Sequence, residues 1–166
     1  GLHLGKLADQ ALLARRLAES GFPTLRFDPP ASGDSAGDDD AHGRVGLWRD
    51  SIGLAADELR ARTGVDAIAL VGIKLGATIA AASVDAGLDV AALVLWDALP
   101  TGERWLREER TYQRLAQQVR ATPDNPPPAD GGMEAAGFLF TAGPLEELRT
   151  LDLATVGEPW PVGLPV

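Results

Sequence analysis

The sequence predicts an α/β fold, a three-layer α/β/α sandwich with a short parallel sheet of about three strands. Helical and strand-like patterns alternate through roughly the first hundred residues, which is typical of parallel strands joined by right-handed crossovers. Two strand-like runs, DAIALVG and VAALVLWD, are apolar almost throughout. Such continuous runs indicate strands that are buried on both faces of a sheet.

Each element of the first half has a local signal. The first helix is predicted at 4–20, where apolar side chains recur at helical spacing until Gly21 ends the pattern. The run FPTLRFD predicts a strand at 22–28, which two prolines stop. A loop rich in Gly, Pro, Ser and Asp follows, and the second helix is predicted at 44–62.

The central segment predicts two strands with a helix between them. The strands are predicted at 66–72 and 90–97, and the small residues of 75–86 predict a helix that packs closely on a sheet. Beyond Pro100 the pattern changes. The sequence there predicts an Arg- and Glu-rich helix, a flexible break and a further helical segment, at 102–120, 121–132 and 133–151.

These patterns divide the chain into three regions. Residues 1–100 form the predicted core, residues 101–153 a helical lid-like segment, and residues 154–166 an irregular tail in which prolines exclude a regular central strand. A sheet of about three strands has two open edges. The open edges predict either a homo-oligomer or additional flanking sequence.

Composition excludes several classes of function. The chain has 166 residues and a net charge of −9, which disfavours binding to nucleic acid or to an anionic membrane. It contains no cysteine, and its two histidines lack zinc-type spacing, so no metal site is predicted. No phosphate-binding motif occurs, and we predict no cofactor. The absence of a long apolar run and of a signal-peptide pattern predicts a cytoplasmic protein.

The stretch GIKLG, from Gly72 to Gly76, has the spacing of a nucleophile elbow. Such an elbow is a sharp turn from a buried strand into a helix. It holds its central residue in strained backbone space, where large side chains two positions away would clash. The central residue is usually serine, whereas here it is Lys74.

With this elbow and its neighbouring motifs, the chain resembles the α/β-hydrolase superfamily over roughly residues 7–152. The matching segments are LLARRLAESGF, LRFDPPASGDSAG, LVGIKLGATIA, ALVLWDALP and EAAGFLFTAGPLEELRTLDL. The chain is most similar to the serine-aminopeptidase-like and exosortase-associated hydrolase branch, some members of which carry GLRLGA at the elbow. The resemblance implies a hydrolase of carboxylic ester, thioester or amide bonds.

The chain also departs from the family pattern. Ala31 stands where the family loop has a glycine. The family's oxyanion loop would precede Gly1, and its strands with the catalytic acid and histidine would follow Val166. No histidine follows His42, so the Ser-Asp-His order cannot be completed within these residues. We therefore expect an incomplete α/β-hydrolase-like domain.

Lys74 and Asp97 are the candidate catalytic residues. A lysine at the positive end of a helix dipole requires a nearby anion. Asp97 ends the neighbouring predicted strand, at the edge where α/β folds bind ligands. Three roles are open for Lys74: a structural ion pair with Asp97, a binding group for an acidic ligand, or an amine nucleophile.

Five further residues are candidates for ligand binding. Ile73 and Leu75 flank Lys74 within the elbow, and the backbone N–H of Leu75 is a candidate oxyanion donor. Trp96 lies beside the proposed edge, with core packing as the alternative role. Asp28 and Ser35 follow the first predicted strand, where they form either a ligand site or turns that hold the loop.

Three functions are consistent with these features. The protein is a hydrolase with nonstandard or missing residues, an inactive relative that binds a small acidic or acyl ligand, or a structural fragment that recruits another chain. The predicted partner is a small-molecule substrate or ligand.

Overall fold

The computed structural model describes residues 2–37, 43–119, 131–135 and 138–157. The lid-like segment's predicted break lies largely outside these residues, and so does most of the tail. Within the described residues, the helices and strands follow in this order: α1 (Leu2–Glu19), α2 (Arg44–Thr63), β1 (Ala69–Ile73), α3 (Leu75–Asp85), β2 (Ala92–Trp96), α4 (Gly102–Val119), β3 (Met133–Ala135), β4 (Phe138–Phe140), α5 (Ala142–Arg149) and a 3-10 turn (Leu153–Thr155).

The protein is mixed α/β with a short parallel sheet of two strands. β1 pairs with β2 in parallel, and the register sets Ala69 opposite Ala92 and Ile73 opposite Trp96. The helix between them, α3, packs on both strands, and α2 packs on α3. The predictions for α1, α2, β1, α3, β2 and α4 are confirmed, with bounds that differ by only a few residues.

The two faces of this sheet differ in burial. The face toward α3 carries Gly72, which is buried. On the opposite face, Val71, Val94 and Trp96 are 43%, 48% and 57% exposed. Among the described residues, α1 makes no extensive packing contact with another element, so helices cover one face of the sheet.

The strand predicted at 22–28 is wrong. This segment has no regular secondary structure, and the Phe22 side chain is 64% exposed. A strand is stabilised by hydrogen bonds to a neighbouring strand. In the described part of the chain no strand pairs with 22–28. The local composition favours an extended backbone, but the ladder that would make it a strand is missing.

The start of the helix predicted at 133–151 is also wrong. Met133–Ala135 and Phe138–Phe140 form the antiparallel pair β3–β4, with Met133 opposite Phe140. Among the described residues of this range, the helix is limited to Ala142–Arg149. Met133, Ala135 and Phe140 are buried while Leu139 is exposed, which is the burial expected of a strand with one face on the core.

The hydrophobic core lies between α2, α3, α4, the β3–β4 pair and α5. Trp48 and Trp105 both contact Phe140 edge-on, with ring centroids 6.2 Å and 5.6 Å apart. Leu106 and Leu148 are fully buried beside them. The same core therefore takes residues from 1–100 and from 101–153.

Two charged residues connect α2 to this core. Arg44 is 1% exposed and donates hydrogen bonds to the carbonyl oxygens of Leu139 and Ala31. Glu147 of α5 accepts from the backbone N–H groups of Gly43 and Val45, at 2.5 Å and 3.1 Å. Because Gly43 has no side chain to cap α2, the Glu147 carboxylate supplies the acceptor that the helix start needs.

None of the helices in the described residues combines the length and the apolar character needed to cross a membrane.

Candidate functional site

The turn between β1 and α3 has the backbone of a strained elbow. β1 ends at Ile73, α3 begins at Leu75, and Lys74 between them has φ 53° and ψ −119°. A β-carbon on Gly72 would lie 2.5 Å from the α-carbon of Ala77. The turn therefore requires glycine at position 72.

The second glycine of the elbow is not required by space. A β-carbon on Gly76 would meet no atom of the described structure within 4 Å outside the nearby helix backbone. The expectation that both glycines prevent a clash is therefore correct for Gly72 and wrong for Gly76. The close approach occurs on one side of the turn only, where α3 packs back onto β1.

Asp97 is the counterpart of Lys74 at the end of the adjacent strand. It directly follows β2 and also has a positive φ, 50°. The Lys74 backbone N–H donates to the Trp96 carbonyl oxygen at 3.0 Å, which extends the sheet to the elbow. Left-handed backbone at a residue other than glycine costs about 1–3 kcal/mol. Two such residues therefore stand side by side at the carboxyl edge of the sheet.

The side chains of Lys74 and Asp97 form the predicted ion pair. Lys74 Nζ lies 2.5 Å from Asp97 Oδ2. The Lys74 side chain is 33% exposed and that of Asp97 is 61% exposed, so solvent and ligands reach both groups.

The charge of Lys74 follows from its surroundings. The hydrogen bond to Asp97 raises the pKa of the Lys74 ammonium above 10.5, and burial opposes it. Charge interactions with Asp97, Glu108 and Tyr112 raise that pKa further. An amine nucleophile requires a lowered pKa. Lys74 is therefore a cation at neutral pH, which argues against the nucleophile alternative.

The candidate ligand-binding residues next to Lys74 and Asp97 differ in where their side chains lie. Ile73 and Trp96 lie next to the elbow on the uncovered face of the sheet, and Trp96 is largely exposed. Leu75 packs against the hydrophobic core, so its side chain points away from solvent.

Asp28 and Ser35 are used by their own loop. Asp28 Oδ2 accepts a hydrogen bond from the Asp34 backbone N–H, and Ser35 Oγ donates to the Asp28 carbonyl oxygen. These hydrogen bonds hold the loop in its turns. For Asp28 and Ser35 this structural role was the predicted alternative to a ligand site. Ala31, at the family's glycine position, has φ 53° and so adopts the left-handed backbone that favours glycine.

A groove on α4 was missed from the sequence. It lies on the exposed side of the helix and is lined by Arg104, Arg107, Glu108, Thr111 and Tyr112. The sequence contains a signal for this groove, because its lining residues are spaced three or four apart and such residues share one face of a helix. The packing of α4 against α3 brings two of its lining residues, Glu108 and Tyr112, close enough to act on the charge of Lys74.

Within the described residues, no three His, Cys, Asp or Glu side chains converge as metal ligands would. No protein-family model, curated protein or solved structure matches this chain. The α/β-hydrolase resemblance therefore depends on the sequence motifs and on the elbow geometry alone.

Proposed function

We propose that this chain is an α/β-hydrolase-like protein whose elbow binds a small acidic or acyl ligand. The observation that carries the proposal is Lys74: a cation held in elbow geometry, at an edge where parallel α/β sheets bind ligands. A ligand carboxylate would bind the ammonium from the solvent side. Asp97 would remain as a shared acceptor or move away, because it is mostly exposed.

The surroundings of Lys74 favour binding over hydrolysis. Serine is absent from the elbow, and the raised pKa keeps the lysine protonated. Membership of the α/β-hydrolase superfamily, its three-layer sandwich and a cytoplasmic location are parts of the same proposal.

A thermal-shift titration tests ligand binding. Hexanoate, a simple acyl carboxylate, should raise the melting temperature of the wild type in a concentration-dependent way, since a ligand that binds only the folded state stabilises it. Lys74→Gln should abolish the shift. Arg62→Gln removes a cation from the exposed end of α2 and should leave the shift unchanged. Equal shifts in all three proteins would reject the proposal.

Hydrolysis is the second candidate, and it is favoured by the elbow backbone itself. In a hydrolase, the N–H groups of Leu75 and Gly76 at the start of α3 would serve as oxyanion donors, because the first N–H groups of a helix have no acceptor one turn before them. Release of p-nitrophenol from p-nitrophenyl hexanoate tests this activity. Turnover above that of Lys74→Ala would establish a hydrolase that uses the lysine, and equal background rates would exclude it.

Association of two copies is the third candidate, favoured by the exposed apolar face of the β1–β2 pair. Val71, Val94 and Trp96 leave more apolar surface in water than a parallel sheet normally does. Sedimentation velocity over a range of concentrations tests it. A dimer that Trp96→Ser dissociates would support the candidate, and a monomer at all concentrations would exclude it.

A further inference from the structure

The Lys74–Asp97 ion pair is held between two turns whose backbones are joined. Lys74 directly follows β1 and Asp97 directly follows β2, and their φ angles are 53° and 50°. The Lys74 backbone N–H donates to the Trp96 carbonyl oxygen at 3.0 Å, which fixes one turn against the other. The cation and the anion are therefore preorganised as a unit, and preorganisation lowers the cost of binding a ligand to both.

The pair offers a ligand two opposite charges at one place. Lys74 Nζ lies 2.5 Å from Asp97 Oδ2, and the two side chains are 33% and 61% exposed. A ligand with a single carboxylate binds only the ammonium and brings its own charge close to Asp97, which repels it. A ligand that also carries an ammonium group next to its carboxylate removes this repulsion and gains a second charge-assisted hydrogen bond.

Trp96 supplies an apolar surface next to the pair in the chain. It directly precedes Asp97, stands opposite Ile73 in the register and is 57% exposed on the uncovered face of the sheet. Val94 lies on the same face two residues earlier and is 48% exposed. An aliphatic group that packs on this face removes apolar surface of both partners from water.

We propose that the ligand of the elbow is a zwitterion, a free α-amino acid with an apolar side chain. Its carboxylate binds the Lys74 ammonium, its ammonium group binds the Asp97 carboxylate, and its side chain packs on Trp96. The inference rests on the proposed function for Lys74 and adds Asp97 and Trp96 as specificity-determining residues. A peptide is not the expected ligand, because its backbone separates the two terminal charges.

Three acids with the same carbon chain test this inference. Hexanoate has no ammonium group, norleucine (2-aminohexanoate) has one beside the carboxylate, and 6-aminohexanoate has one at the far end of the chain. Titration followed by ligand NMR signals at pH 7 gives the dissociation constants. Norleucine should bind the wild type about fivefold more tightly than either other acid, the upper range for one solvent-exposed ion pair.

Asp97→Asn should change the affinities for norleucine and hexanoate in opposite directions. Norleucine should bind more weakly because the amide cannot pair with its ammonium group, and hexanoate more tightly because the repulsion is gone. Asp57→Asn is the control for net charge, since Asp57 is an exposed carboxylate of α2 that pairs with Arg60. It should change neither affinity. Equal changes in the two variants would overturn the inference.

Two further variants test the other contacts. Lys74→Gln should weaken norleucine and hexanoate alike, because both place a carboxylate on the ammonium. Trp96→Ser should also weaken both, because their carbon chains lose the apolar surface. Unchanged norleucine binding in Trp96→Ser would overturn the assigned position of the side chain.

The remaining outcomes separate this inference from the proposed function. If Lys74→Gln weakens hexanoate but norleucine binds the wild type no better than hexanoate, the proposed function stands and the zwitterion site is wrong. If 6-aminohexanoate binds as tightly as norleucine, the two charges need not be adjacent and the α-amino acid assignment is wrong. If Lys74→Gln changes no affinity, or none of the acids binds the wild type, both proposals are wrong.

Discussion

Trp105 and Trp96 mark two regions of the molecule that differ in packing. Trp105 is 6% exposed and contacts Phe140 within the core between α2, α4 and α5. Trp96 is 57% exposed at the open edge of the sheet, next to the elbow. The core side holds buried apolar side chains and the hydrogen bonds of Arg44 and Glu147. The elbow edge holds two strained residues and an exposed ion pair. The difference indicates that the core stabilises the fold and that the edge is available for binding.

Substituting the two tryptophans should separate these regions most strongly. Trp105→Ala should lower the free energy of unfolding by about 3–5 kcal/mol, because it leaves a cavity in the core. Trp96→Ala should change it by less than about 0.5 kcal/mol, because the ring is already largely in water. Urea unfolding followed by circular dichroism measures both. Comparable losses would mean that the sheet face around Trp96 is covered in solution.

Glu147 tests the connection between α5 and α2 on the core side. Glu147→Ala should cost about 1–2 kcal/mol of unfolding free energy, because it removes the acceptor for two N–H groups at the start of α2. Glu146 next to it is exposed, and its one ion-pair partner among the described residues is Arg149 of its own helix. Glu146→Ala is the matched control and should cost much less in the same urea experiment. A similar cost for both would contradict the capping role.

The Lys74–Asp97 pair should contribute less, and its contribution should depend on pH. Lys74→Met should cost less than about 1 kcal/mol at neutral pH, since both groups are partly in solvent. Asp97 raises the folded-state pKa of Lys74 above 10.5, so the contribution is complete below that pH and is lost as pH rises through the raised pKa.

Urea unfolding of the wild type and of Lys74→Met at increasing pH measures this loss. The stability difference should shrink toward zero in strongly alkaline buffer. Asp97→Asn in the wild-type background should remove most of the pH dependence. A difference that grows with pH would show that Lys74 is less basic in the folded protein than in the unfolded chain.

Ala31 gives the smallest expected effect and concerns strain outside the elbow. Ala31→Gly should raise the free energy of unfolding by about 0.5 kcal/mol, because relief of the left-handed backbone exceeds the added entropy of the unfolded chain. Ala86→Gly is the control, since Ala86 has φ −76° and gains no such relief. It should lower stability in the same measurement. Equal losses in both variants would contradict strain at Ala31.

The elements that the sequence predicts correctly depend on neighbouring residues. α2 and α4 follow from helical spacing of apolar side chains, and β1 and β2 from continuous apolar runs. The two errors concern segments whose strand character depends on whether another segment pairs with them. Residues 22–28 read as a strand but lack a neighbour, and Phe138–Phe140 reads as helical but pairs with Met133–Ala135.

The candidate site divides in the same way. GIKLG indicates a sharp turn at Lys74, because glycine at 72 permits the close approach of strand and helix. Asp97 could be inferred as its partner, since parallel strands end at one edge. The groove could not be inferred, because nothing local to α4 shows which of its faces lies near the elbow.

The sequence by itself determined most of the helices, the two parallel strands and the elbow. Hydrophobic spacing and glycine act on the backbone over a few residues, so these features need no knowledge of the rest of the chain. The tertiary structure alone decided which face of the sheet stays open, that Glu147 caps α2, and that Glu108 and Tyr112 of α4 act on the charge of Lys74. Those contacts join residues far apart in sequence, and only the packing of helices on the shared core fixes them.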